Sequence, residues 1–126
     1  MEEKDREIRL GGSRLYLGED NIIYIVATKN VDEKTETELI TSFFKLVNMA
    51  EGKVHVLFDI NKVGKPSHGA RKIGREVLEN EKVGKVAFFG LHPVARVIAS
   101  FMIGVTKKKD IRSFKTKEKA LAWLKE

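Results

Sequence analysis

Two short runs constrain the fold most. Residues 54–60 (VHVLFDI) and 85–89 (KVAFF) are apolar almost without alternation. A strand wetted on one face alternates apolar and polar side chains, so runs like these read as strands buried on both faces, as in a parallel sheet. Both faces must then be covered, and helices in the crossovers between parallel strands do this. A chain of 126 residues is long enough for one such core and too short for two ordinary domains.

The intervals between the runs carry helical patterns. Thr35 and Glu38 have capping-box spacing, and Leu39, Ile40, Phe43, Phe44, Val47 and Ala50 recur as one helical face, stopped at Gly52. Residues 66–80 predict a second helix with Pro66 in its first turn. Ala70, Ile73, Val77 and Leu78 line its inner face, with Arg71, Lys72 and Arg75 outward. Gly84 precedes the strand 85–89, and a third helix follows His92-Pro93, apolar at Val94, Val97, Ile98, Phe101, Met102 and Val105. Residues 111–114 read as the last strand, and Thr116 as the cap of a final helix that packs through Ala120, Leu121, Trp123 and Leu124.

Upstream, residues 8–10 and 15–17 read as one short strand bent at Gly11-Gly12. Gly18-Glu19-Asp20-Asn21 supplies a turn, and residues 21–27 (NIIYIVA) a second strand. The order is therefore ββαβαβαβα. That is a single α/β domain over residues 1–126, with residues 1–7 flexible, a mostly parallel sheet, an antiparallel edge hairpin and right-handed crossovers.

Composition narrows the function classes. The chain has no cysteine, which excludes disulfides, thiolate zinc sites and a cysteine nucleophile. The first ten residues, MEEKDREIRL, lack the apolar core of a signal peptide, and the apolar run 94–105 contains Arg96 and Ser100 and is too short to span a bilayer. The expected location is the cytoplasm. The net charge of +6 is unevenly spread. Residues 1–38 carry 6 basic and 10 acidic side chains, and residues 39–126 carry 18 and 8. Such sorting favours phosphates or acidic partners. The basic residues are scattered and not interleaved with aromatics, which argues against nucleic acid.

In order and spacing, several pieces resemble the STAS superfamily, and more closely its SpoIIAA-like members grouped as STAS/SEC14 domains. They are the strand ending Phe58-Asp59-Ile60, the helix with Ala70-Arg71-Lys72-Ile73, Val83-Gly84-Lys85-Val86-Ala87 with Gly90, and the closing Lys119-Ala120-Leu121-Ala122-Trp123-Leu124. The resemblance spans residues 14–126. It implies a non-enzymatic regulatory or protein-interaction module. In the regulatory antagonists of that superfamily, a serine opening the second helix is phosphorylated by a partner kinase. Ser67 and Gly69 match that motif, whereas Pro66 stands where it has an acid.

The expected partner or ligand surface is Asp59, Asn61, Pro66, Ser67, His68, Gly69, Arg71, Lys72, Arg75 and His92, where a strand gives way to a helix, the usual site position in open α/β sheets. Ser67 is the phosphorylation candidate; a phosphate there would meet the free N–H groups of a helix start. Its other role is a plain N-cap. Asp59, His68 and His92 with Ser67 also allow a small hydrolase, but nucleophile-elbow glycines are missing. The simpler reading has Asp59 accepting local backbone N–H bonds. His55 reads as structural. The spacing of the histidines marks no metal site, and no cofactor is expected. A second function class is a carrier of a lipid-like or anionic ligand beneath the helix 94–105, with Lys107, Lys108 and Lys109 at a head group or membrane. A protein partner is expected; its identity and the oligomeric state are not legible.

Overall fold

The apolar runs occupy the middle of one six-stranded sheet. The computed structural model describes residues 6–10, 12–26, 33–62, 75–90, 96, 100 and 110–126. Its strands are β1 (Glu7–Leu10), β2 (Ser13–Leu17), β3 (Ile22–Val26), β4 (Val54–Asp59), β5 (Val83–Phe89) and β6 (Ile111–Phe114). Their spatial order is their chain order. The first three pair antiparallel, and β3 through β6 pair parallel.

One face of the sheet is covered by the crossover from β3 to β4 and by the buried Val77 and Leu78 of the next. Helix α1 (Glu33–Met49) lies there. Its Phe43, Leu46 and Val47 bury against Ile23, Val54, Val56, Val86 and Phe88 in the larger core. On the other face Ile22, Leu57, Ala87 and Phe89 pack against Ala120 and Leu124 of the C-terminal helix (Lys117–Leu124). Neighbouring residues such as Val56 and Leu57 thus serve opposite cores, the reason for a run without alternation. The C-terminal helix begins as expected, with Thr116 Oγ1 accepting the Lys119 N–H at 3.3 Å. Lys85 fastens it further: the ammonium donates to the Trp123 carbonyl at 3.0 Å and sits 5.3 Å from the indole centre.

Four local expectations change. The segment around Gly11-Gly12 is a reversal, with Leu10 paired to Ser13 across a two-residue link and Gly12 at φ +86°. Such a tight link needs positive φ, which glycine adopts without steric cost, so the expected bent strand is two strands, β1 and β2. Glu7 opens β1, and Arg6 before it is tied to the sheet. The Arg6 guanidinium donates to the Leu17 and Gly18 carbonyls at 3.0 and 2.9 Å. Glu7 accepts from Arg14 and Arg9, which hold its carboxyl below the ordinary value. Helix α1 already includes Thr35, so the capping box does not mark its start.

Gly84 lies inside β5, not before it. The register runs Val54 to Val83 and then Val56 to Val86, so Gly84 and Lys85 together oppose His55. This is a bulge, and a bulge leaves a backbone group without its ladder partner. Here the Lys85 N–H donates to His55 Nδ1 at 2.9 Å. A Cβ on Gly84 would stand 2.8 Å from that nitrogen, so the glycine is what lets the imidazole in. His55→Ala, which strands the N–H, should cost about 1–2 kcal/mol in urea unfolding. In a Gly84→Ala background, where the ring is already displaced, the same change should cost clearly less. Equal costs in both backgrounds would refute the coupling.

Candidate functional site

The parallel strands finish together, and their ends remain paired one residue further on. The Ile60 N–H donates to the Phe89 carbonyl at 3.1 Å, and the Gly90 N–H to the Phe114 carbonyl at 3.2 Å. This edge is where α/β sheets place their sites. At its β4 end, Asp59 Oδ1 accepts from the Asn61 backbone N–H at 3.0 Å and from Asn61 Nδ2 at 2.9 Å. The carboxylate thereby closes an Asx turn at the end of the strand.

Of the expected surface, the structure thus joins Asp59 and Asn61. Arg75 is exposed, as the helical pattern requires, but it stands at the other end of its crossover. Helical residues 75–78 lead within a few residues to the start of β5, where the Val83 N–H donates to the Asn80 carbonyl at 3.0 Å. Pro66, Ser67, His68, Gly69, Arg71, Lys72, His92, Lys107, Lys108 and Lys109 lie outside the described residues. So does the Ser–His–Asp grouping as a whole. Among the described residues, no three His, Cys, Asp or Glu side chains gather as a metal site would require, and no helix is long and apolar enough to cross a membrane.

Between β4, β5 and β6 the same edge holds a depression of about 340 Å³. Ile60, Gly90 and Phe114 form its apolar part, and Arg96, Ser100, Ser113 and Lys115 its polar part. Arg96 and Ser100 are helical and four residues apart, hence neighbours on one helix face. Sequence reasoning did not select these four polar residues. The available signal was the spacing of the two polar positions that interrupt the apolar run 94–105. Ser113 and Lys115 carry no such mark, because only strand pairing brings the end of β6 beside that crossover.

The chain matches, over residues 16–126, the family described as a domain of unknown function, DUF7793. It belongs to this family. No curated protein matches it. Among solved structures it is similar to an uncharacterised protein of the DUF3478 family from Shewanella loihica PV-4, whose fold is SpoIIAA-like. The likeness covers 89% of this chain and 91% of that one, at a TM-score of 0.65 and 16% identity. The fold of this DUF7793 member is therefore SpoIIAA-like, the architecture its order of elements led us to expect.

The Asp59 geometry makes a direct prediction. Asp59→Ala removes both acceptor bonds and should lower stability by about 1 kcal/mol, whereas Asp59→Asn keeps an acceptor oxygen and should stay within about 0.5 kcal/mol of the parent. Denaturant midpoints measure both. Equal losses would mean that the charge matters and the turn bond does not.

Proposed function

We propose that this protein is a non-enzymatic regulatory module of STAS type that binds a protein partner at the edge where β4 ends. The observation that carries this reading is the SpoIIAA-like fold together with the Asp59–Asn61 turn at the C-terminal edge of the sheet, six residues before Ser67 in the chain. The turn uses the Asp59 carboxylate in shaping the surface, a role suited to recognition. Phosphorylation of Ser67 is the proposed switch, since Ser67 and Gly69 keep part of the regulatory motif; a dianionic group there would change the charge of the contact surface.

A second reading, ligand binding, is favoured by the depression beside that turn, which combines an apolar wall with two cations.

The partner reading is tested in cells with a photo-crosslinking side chain at Asn61, compared with one at Lys53 at the opposite end of β4. Position 61 should yield a discrete protein adduct that position 53 does not, and Ser67→Asp should abolish or shift that adduct. The same adducts from both positions would defeat the partner surface. An adduct indifferent to Ser67→Asp would defeat the switch alone.

A further inference from the structure

The depression beneath Arg96 has a donor set with a definite preference. Two cations, Arg96 and Lys115, and two hydroxyls, Ser100 and Ser113, line it together, and among the described residues no carboxylate does. None of these four side chains is engaged in a hydrogen bond or ion pair with another described residue. Unneutralised like charges around one hollow repel each other, so an anion that enters gains from both. Meanwhile the Ile60 and Gly90 amides on its floor are spent on the sheet, donating to the Phe89 and Phe114 carbonyls. Those two amides are therefore not free to hold an anion, which falls to the side chains.

Charge and shape select among anions. Two cations match a dianion better than a carboxylate, and a guanidinium fork with an ammonium and two hydroxyls suits the several acceptor oxygens of a phosphate. The hollow, about 340 Å³, has room beyond a bare phosphate. Its apolar lining is Ile60, 4% exposed, with Gly90 and Phe114, whose ring turns to Trp123 at 5.7 Å.

We propose that this depression binds a small phosphomonoester, with Arg96 and Lys115 balancing the phosphate dianion, Ser100 and Ser113 donating to its oxygens, and its organic part along the strand ends at Ile60 and Gly90. The proposal rests on the ligand-binding reading and not on the partner surface. The two fail separately, because the titration below involves no partner.

The test is an NMR titration of the ¹⁵N-labelled full chain with phenyl phosphate. Saturable shifts should centre on the amides of Gly90, Ser113, Phe114 and Lys115, with a Kd of about 1 mM or tighter. Arg96→Gln and Lys115→Gln, both at exposed positions, should each weaken binding about ten-fold or more, while Lys53→Gln should not. Inorganic phosphate should bind less tightly than phenyl phosphate, and benzoate hardly at all. Co-sedimentation with phosphatidic acid vesicles that depends on Arg96 would place the phosphate on a lipid head group. Binding confined to soluble esters would place it on a free metabolite. Either result supports the site. It is overturned if no saturable shift appears at about 20 mM phenyl phosphate, if both glutamine variants bind like the parent, or if benzoate binds as well as the ester.

Discussion

Burial of β4 and β5 on both faces is the constraint on which the rest of this structure depends. Val54, Val56, Val86 and Phe88 turn to one core and Leu57, Ala87 and Phe89 to the other, all nearly inaccessible to water. Two apolar faces need two covers. The crossovers supply one, and the C-terminal helix is called to the opposite side to supply the other. Apolar alternation cannot pin the register of such strands, because a one-residue slip would exchange one apolar set for another. Size and local polarity do so instead. The Phe58 and Phe88 rings stack at 5.1 Å, and the bulge opposite His55 is stable only where a glycine leaves room and an imidazole accepts the stranded N–H.

The same arrangement decides where chemistry can occur. The backbone at the C-terminal edge remains paired past the strand ends, so the edge offers recognition through side chains. At the β4 end these are Asp59 and Asn61, tied into a turn; between β5 and β6 they are two cations and two hydroxyls without described partners. One edge therefore presents a shaped surface and a charged hollow side by side.

Legibility followed physical range. The strands at 54–60 and 85–89, the helical face from Leu39 to Ala50, the Thr116 cap and the turn-forming role of Asp59 all depend on residues within a few positions of one another. Each was readable from spacing and residue type. The Gly12 reversal was also local, yet two adjacent glycines satisfy a bend as well as a hairpin, and only the pairing of Leu10 with Ser13 separates them. Gly84 looked like the residue before a strand because its reason for being glycine, the His55 ring, comes from 29 positions upstream in the next strand.

By itself, then, the sequence determined the α/β class, the places of the central strands and their two-sided burial, because hydrophobic periodicity and turn chemistry are properties of short segments. Tertiary structure alone decided the six-strand order, the bulge that gives His55 its work, and the meeting of Arg96 and Ser100 with Ser113 and Lys115. Those features are distances between elements remote in the chain. They exist only once parallel pairing and a right-handed crossover have fixed which strand ends stand together.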